Sequence, residues 1–523
     1  MRTILLRSAA AVILLASAAP LAAQEAKKPD AAKVGDHNKE MVAAVESAWA
    51  KPPVEEQAST SKGSVTVRGQ KIDYTATAGT LTIRDDSGKP TASLFYTAYT
   101  RDGVSAKSRP VTFLYNGGPG SATIWLRMGS FGPYRVATNT PIYVPPTQYS
   151  LAPNPDSLLD KTDLVFIDAV GAGYSRPLGD KTGKDFWGVD QDADAFARAI
   201  QRYIAKNDRW ASPKFLFGES YGTLRSPAVG ALLEERGVSL NGIALLSSIL
   251  NYGVRQPGYG ADYMGLLPTF AATAWYHNRV PNRPADLKAF LDEVRAFDAG
   301  PYAAALAKGD RISDAEKQQV AQQMSAYIGL SAAYILRDNL RVPLQHFMTE
   351  LLRDQGLSTG RLDTRYTLDA SDANASSPDD DPASSAITGA YVASFSDYLA
   401  NRLGYKTDMP YLLSARDSSF DWDWHHRAPG ERWKQNNPDT AVDLAATMRT
   451  NTSMKVLSLN GYFDAATPFY STEFDVAHMM LPPALQKNIT FTYYDAGHMV
   501  YLNPQALTKM HDDVAAWIDS ATR

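Results

Sequence analysis

The pentapeptide Gly218-Glu219-Ser220-Tyr221-Gly222 constrains the fold of this 523-residue chain more than any other feature. It directly follows an apolar run at 214–217 and precedes a stretch that predicts a helix. A sharp turn from a strand into a helix leaves no room for side chains at the two glycine positions, and its strain presents the central serine to solvent. We therefore predict that Ser220 is a nucleophile at the carboxyl end of a buried strand.

Several other segments predict strands of the same sheet. Nearly uniform apolar runs, typical of strands buried on both faces of a parallel sheet, lie at 111–115, 164–167 and 243–246. Strand signals resume at 455–459 and 489–494. Earlier segments that alternate between polar and apolar residues, and so predict antiparallel edge strands, lie at 64–67, 81–83 and 92–96. The expected fold class is α/β.

Between these two groups of strands the pattern becomes helical and aromatic, which predicts an insertion over 252–447. It contains an acidic stretch at 369–385 with Asp379-Asp380-Asp381, interpreted as a solvated loop, with a calcium site as the functional alternative. The predicted order is a signal peptide (1–23), a polar leader (24–60), the first part of the sheet domain (61–251), the insertion (252–447) and its second part (448–523).

The N-terminus has the pattern of a secretory signal. Arg2 and Arg7 precede an apolar stretch at 9–18, and small residues precede a cleavage site before Gln24. A short membrane anchor is the alternative, but the apolar run is shorter than the roughly 20 residues that span a bilayer. We expect an exported protein, periplasmic or secreted, with no membrane span in the mature chain.

Composition excludes several classes of function. The chain has no cysteine, which rules out cysteine catalysis, thiolate metal sites and stabilising disulfides. With 52 basic and 56 acidic residues, the net charge of −4 gives no indication of a nucleic-acid partner or an anionic membrane. No metal or cofactor is expected. The adjacent His425 and His426 are interpreted as part of a packed aromatic loop, because neighbouring side chains diverge.

A nucleophilic serine needs a general base and an acid that orients the base. His498 lies on a glycine-containing turn after the last predicted strand, and Asp464 lies just past the preceding strand, in the order Ser, Asp, His. Asp495 is an alternative acid, but it lies too close in sequence to His498 to approach the far side of its ring. We predict a triad of Ser220, Asp464 and His498.

The loop Asn116-Gly117-Gly118-Pro119-Gly120 follows another predicted strand, and its glycines leave backbone N–H groups bare. We expect the N–H groups of Gly118 and Tyr221 to form an oxyanion hole. A phosphate-binding loop is the rival interpretation, but no Lys followed by Ser or Thr stands at the required spacing.

Five blocks in this order resemble the motifs of the serine carboxypeptidases, peptidase family S10. They are 116–120, 166–175, 218–222, 461–464 and 497–500. The resemblance implies an α/β-hydrolase fold: a mostly parallel sheet with helices on both faces, antiparallel N-terminal edge strands and a largely helical cap. It also implies hydrolysis of the C-terminal peptide bond of peptides through an acyl-enzyme.

The resemblance further implies that Asn116 and a protonated Glu219 bind the free C-terminal carboxylate of the substrate. Two carboxyl groups in contact cannot both ionise, so we expect peptide hydrolysis to be favoured at acidic pH. The chain departs from the family pattern in three places. Ser121 replaces a common cysteine, Ser130 replaces a second carboxylate-binding glutamate, and 247–249 replaces a Gly-Asn-Gly turn.

Two other classes of function keep the same residues. An esterase, an aminopeptidase or an acyltransferase would use the same triad on the same fold. A non-catalytic binding protein that has kept the fold is the remote alternative. A pair of substrates with free and blocked C-termini distinguishes a carboxypeptidase from the other hydrolases. Reaction of Ser220 with a fluorophosphonate distinguishes an enzyme from a binding protein.

Overall fold

The computed structural model describes residues 52–141, 150–256, 258–415 and 420–522. The predicted signal peptide and most of the predicted leader therefore lie outside the described residues. Within these ranges, no helix is both long enough and apolar enough to cross a membrane.

A ten-stranded mixed sheet organises the chain, and two small two-stranded sheets lie apart from it. The strands are β1 (Ala58–Val67), β2 (Gln70–Arg84), β3 (Pro90–Arg101), β4 (Val111–Tyr115), β5 (Tyr134–Val136), β6 (Leu151–Pro153), β7 (Asp163–Ile167), β8 (Arg176–Pro177), β9 (Lys214–Ser220), β10 (Gly242–Ser248), β11 (Leu357–Thr359), β12 (Thr367–Asp369), β13 (Lys455–Gly461) and β14 (Ile489–Tyr494). The main sheet runs β1-β2-β3-β7-β4-β9-β10-β13-β14, with β8 paired to β3.

The sheet has an antiparallel edge and a parallel remainder. Strands β1, β2 and β3 pair antiparallel, and β3 also pairs antiparallel with β7. From β7 to β14 every neighbouring pair is parallel. In this sheet β7 lies on one side of β4 and β9 lies on the other. The loops that follow β4 and β9 therefore leave in opposite directions and open a crevice between them. Ligands of such sheets bind in this crevice.

The described residues form fourteen α-helices, some of which cover both faces of this sheet. They are α1 (Ile124–Gly129), α2 (Val189–Lys206), α3 (Tyr221–Glu235), α4 (Gly260–Tyr276), α5 (Leu287–Phe297), α6 (Ala303–Lys308), α7 (Asp314–Ile328), α8 (Ala332–Arg337), α9 (Leu344–Glu350), α10 (Pro382–Asp397), α11 (Ala441–Thr450), α12 (Phe469–Ala477), α13 (Pro483–Gln486) and α14 (Pro504–Ala521). Side chains alternate along β9, so Phe215 and Phe217 pack with α1, α10 and α14, while Leu216 packs with α2, α3 and α11.

Helices α4 to α9, which lie between β10 and β13 along the sequence, build a separate apolar core. Within the predicted insertion, α7 and α8 are separate helices, because Gly329 adopts a left-handed φ of 73° and Ser331 caps the second helix. Phe463 and Phe469, which follow β13, belong to the same core and attach it to the sheet. These helices thereby pack against the segment that follows β13.

Candidate active site

Ser220 ends β9 and Tyr221 begins α3, so the predicted sharp turn is present. Ser220 has φ 60° and ψ −130°, a conformation that non-glycine residues rarely adopt and that stores backbone strain. A Cβ on Gly218 would lie 2.2 Å from the carbonyl oxygen of Gly222. Glycine is therefore required for the chain to turn here, and the turn brings Ser220 to a cavity.

His498 and Asp464 follow the neighbouring strands β14 and β13 and meet at the same edge of the sheet. Nδ1 of His498 lies 2.9 Å from Oδ2 of Asp464. Both side chains are buried, with Asp464 0% and His498 5% exposed. The rival acid, Asp495, is exposed and its backbone carbonyl, not its carboxylate, accepts hydrogen bonds from Arg365 and Asn503. The structure places Asp464, rather than Asp495, beside the imidazole.

Two further residues, Thr467 and Ser247, hold this pair in place. The Thr467 hydroxyl donates to Oδ2 of Asp464 at 2.7 Å and lies 3.1 Å from Nδ1 of His498. The Thr467 backbone N–H donates to Oδ1 of Asp464 at 2.9 Å. The Ser247 hydroxyl donates to the His498 carbonyl oxygen at 2.6 Å. No sequence motif marked Thr467, and Ser247 was seen only as a departure from the family pattern.

The glycine loop after β4 lies against the first turn of α3. A Cβ on Gly117 would be 2.3 Å from the Tyr221 nitrogen and 2.6 Å from the Gly222 nitrogen. Gly118, with φ 111°, lines the same cavity as Ser220. The two backbone segments that carry the predicted oxyanion donors are therefore brought together beside the serine.

Glu219 is 2% exposed and lies beside two polar side chains, those of Tyr501 and Asn116. The Tyr501 hydroxyl donates to both carboxyl oxygens of Glu219, at 3.2 and 3.0 Å. Asn116 accepts a hydrogen bond from the Leu126 N–H through Oδ1 at 2.9 Å, which leaves its NH₂ group directed to Glu219 and the cavity. Sequence reasoning did not find Tyr501; its spacing three residues after His498 was the only available signal.

The site has an unusual electrostatic balance. Burial raises the pKa of Glu219 to about 7, although His498, Tyr501 and Asn116 each favour its ionised form. Burial disfavours the imidazolium of His498, but the charges of Asp464 and Glu219 outweigh it and raise the pKa of His498. Because Glu219 and His498 interact, each apparent pKa of the site describes the titration of the pair and not of one residue alone.

The cavity at this edge of the sheet has a volume of about 500 Å³. It is lined by Asn116, Gly117, Gly118, Ser121, Trp125, Glu219, Ser220, Ile249, Tyr252, Arg361, Leu362, Ser384, Ile387, Ser414, Ala466, Thr467, His498 and Met499. Four of the five predicted polar residues line it, and the fifth, Asp464, is fully buried behind His498. Its size suits one or two amino-acid residues of a ligand.

Ser130 does not line this cavity. It is fully buried, and its hydroxyl donates to the Leu126 carbonyl oxygen at 2.6 Å. A Cβ on the preceding Gly129 would lie 2.5 Å from the Tyr501 ring. The ring therefore occupies the space next to the position where the family carries its second glutamate.

His425 and His426 diverge. The His425 ring is exposed and lies 2.6 Å from Asp423. His426 is buried, with its two nitrogens 2.8 Å from Asp190 and 2.9 Å from Asp443. Burial disfavours its charged form, but these two carboxylates outweigh burial and raise the pKa of His426 to about 9. His426 alone thus ties the loop before α11 to α2, through Asp190, and to α11, through Asp443.

The acidic stretch makes internal contacts. Asp379 accepts a hydrogen bond from the Ser371 N–H, and Asp381 caps the N-terminus of α10. Across the described parts of the chain, no group of three or more potential ligands is arranged to hold a metal ion.

The sheet order, the helices on both faces and the sharp turn at Ser220 define an α/β-hydrolase fold. The fold is similar to that of a prohormone-processing carboxypeptidase from Saccharomyces cerevisiae, Kex1(Δ)p, with a TM-score of 0.52 and 14% identity, over 85% of this chain and 91% of that chain. At this identity the similarity shows the fold alone. The predicted fold class is confirmed.

The profile of the family described as serine carboxypeptidase matches residues 68–488, and the chain belongs to that family. A segment of 151 residues, 28% of this chain, is 29% identical to Serine carboxypeptidase-like 33 of Arabidopsis thaliana. This segment spans 29% of the length of that relative. The resemblance noted from the five motif blocks is confirmed.

Proposed function

We propose that this protein is an exported serine carboxypeptidase that removes the C-terminal residue of peptides. The observation that supports it most is the buried Glu219, with its raised pKa, beside a serine that shares a cavity with His498. An esterase needs the serine and the histidine but has no use for a protonatable carboxyl group in that position. A carboxypeptidase needs such a group, because its protonated form can donate a hydrogen bond to the free carboxylate of the substrate.

In the proposed reaction, Ser220 Oγ attacks the carbonyl carbon of the last peptide bond while Nε2 of His498 takes its proton. Asp464 accepts a hydrogen bond from Nδ1–H of His498 and stabilises the imidazolium. The N–H groups of Gly118 and Tyr221 donate to the oxyanion. His498 then protonates the leaving amine, the amino acid departs, and water repeats the sequence on the acyl-enzyme.

The substrate carboxylate is proposed to accept hydrogen bonds from the Asn116 amide and from the protonated Glu219. Tyr501 positions Glu219 through its hydroxyl. A second negative charge next to Glu219 raises its pKa further, so binding of the free acid requires the proton. The affinity for free-acid peptides should therefore fall as the pH rises above about 7.

The low-pH side of the profile is set by the base. His498 must be neutral to accept the proton of Ser220, and its raised pKa means that acid removes the active form. The expected profile of kcat/KM for peptides is bell-shaped, with two apparent pKa values that belong to the coupled pair.

The test compares two blocked dipeptides, one with a free C-terminal carboxylate and one amidated, from about pH 4 to about pH 8. Cleavage of the free acid alone, weakened at alkaline pH and absent in Ser220→Ala, is the expected result. Equal cleavage of both peptides, or cleavage of simple esters only, would keep the triad but move the protein to another class of hydrolase. Failure of Ser220 to react with a fluorophosphonate would favour a binding protein.

Export is proposed from the sequence of the first 23 residues. N-terminal sequencing of the protein recovered from outside the cytoplasm is expected to begin near Gln24. Recovery of an uncleaved chain from the membrane fraction would support the anchor instead.

A further inference from the structure

A guanidinium group lies in the cavity that holds the serine and the histidine. Arg361 belongs to the segment between β11 and β12, lines the cavity and is exposed. Its backbone carbonyl accepts a hydrogen bond from the Ala465 N–H at 3.1 Å, next to Asp464. The neighbouring Leu362 carbonyl accepts one from the His498 N–H at 2.6 Å. Arg361 is thus anchored on both sides to the loops that carry the triad.

The nearby carboxylates are already engaged. Oδ2 of Asp381 accepts the backbone N–H groups of Arg361 and Leu362, at 3.0 and 2.8 Å. Asp363 forms a buried ion pair with Arg365 at 2.6 Å. The guanidinium of Arg361 itself makes no hydrogen bond or ion pair with any residue in the described ranges. Its positive charge lies close enough to His498 to oppose the imidazolium.

Nothing else on the described walls of the cavity carries an exposed permanent charge. Glu219 is buried, and His498 is buried against Asp464. The remaining lining residues are uncharged, with apolar Trp125, Ile249 and Ile387 among them. A cavity with one exposed cation at its wall favours a ligand with a complementary anion.

The cation also has a cost for catalysis. The charge of Arg361 opposes the positive charge that His498 acquires when it takes the proton from Ser220. A bound anion next to Arg361 would offset this repulsion. The arrangement is therefore favourable when the substrate itself brings a negative charge to this wall.

We propose that Arg361 forms a subsite for an acidic side chain, so that the enzyme prefers peptides with Glu or Asp next to the scissile bond. This inference rests on the proposed carboxypeptidase function. The free C-terminal carboxylate is assigned to Asn116 and Glu219, which leaves Arg361 for a second carboxylate, that of the substrate side chain.

The experiment measures kcat/KM for two series of blocked dipeptides near about pH 6, where a glutamate side chain is ionised. One series varies the leaving residue and the other varies the residue before it, each as Glu, Gln or Lys. At one of the two positions the wild type is expected to prefer Glu over Gln about fivefold, the upper value for an exposed ion pair. Arg361→Gln should abolish this ratio, and Arg361→Glu should favour Lys.

Arg432→Gln is the matched control, because Arg432 is also exposed, does not line the cavity and carries the same charge. It should leave the ratio unchanged. A wild-type ratio near one at both positions, or a ratio that survives Arg361→Gln, would overturn the proposal. An equal loss for Glu and Gln peptides would overturn it too, since it would assign Arg361 to the terminal carboxylate.

A binding measurement separates this inference from the proposed function. Calorimetric titration of Ser220→Ala with the Glu and Gln peptides needs no hydrolysis, and tighter binding of the Glu peptide that disappears in Ser220→Ala/Arg361→Gln supports the subsite. Equal binding of the two peptides rejects it. If wild type cleaves the Gln peptide in a Ser220-dependent way, the carboxypeptidase function stands whatever the Glu to Gln ratio is.

Discussion

Replacing Glu219 with glutamine should remove a pH-dependent loss of stability. Burial raises the pKa of Glu219 to about 7 from an ordinary value of 4.5. Between these two pH values the folded protein holds a proton that the unfolded chain has released. The free energy of unfolding therefore falls as the pH rises through this range. The contribution of this retained proton to the free energy of unfolding is complete below pH 4.5 and is lost above about pH 7.

The size of the effect follows from the pKa shift. A shift from 4.5 to about 7 is 2.5 pH units, or roughly 3 kcal/mol at 1.36 kcal/mol per unit. Glutamine has nearly the same shape and cannot ionise, so the variant lacks this slope. Relative to wild type, Glu219→Gln should gain roughly 3 kcal/mol in unfolding free energy between about pH 4.5 and pH 8.

Urea unfolding followed by tryptophan fluorescence, at several pH values for both proteins, measures this difference. Glu235→Gln is the control, since it removes the same carboxylate from an exposed position on α3. A Glu219→Gln difference that stays constant with pH would refute the reasoning. The same variant should also lose the alkaline fall in affinity for free-acid peptides.

Three further changes have defined outcomes. Tyr501→Phe removes a hydrogen bond that favours ionised Glu219, so the alkaline limb of the kcat/KM profile for peptides should move up by roughly half to one pH unit, with ester hydrolysis unchanged. Gly117→Ala places a Cβ 2.3 Å from the Tyr221 nitrogen, and steady-state assays should show kcat lowered on the order of 100-fold for esters and peptides alike. His426→Gln should lower the unfolding free energy by up to roughly 3 kcal/mol below about pH 6.5, as measured by urea unfolding. This deficit should shrink as the pH rises through about 9, because the two carboxylates stabilise only the charged form of His426.

Local features of the sequence were sufficient to predict the chemistry of the site. The glycines around Ser220 are required by the sharp turn from β9 into α3, so the pentapeptide by itself predicts this turn. The same holds for the apolar strands, whose uniform character reflects burial on both faces. The order of Ser220, Asp464 and His498 along the chain then predicted which strands carry them, and the family assignment followed from these blocks.

Tertiary structure alone decided which distant side chains meet. Tyr501 reaches Glu219 across 282 positions of sequence, and Ser247 holds the backbone of His498 across 251. The sequence revealed that Ser130 replaces a glutamate, but only packing places the Tyr501 ring beside that position. Arg361 lies in an irregular segment of the insertion with no motif. Such residues leave no local pattern, because their contacts arise from how the insertion and the sheet pack against each other rather than from the turn or strand in which they stand.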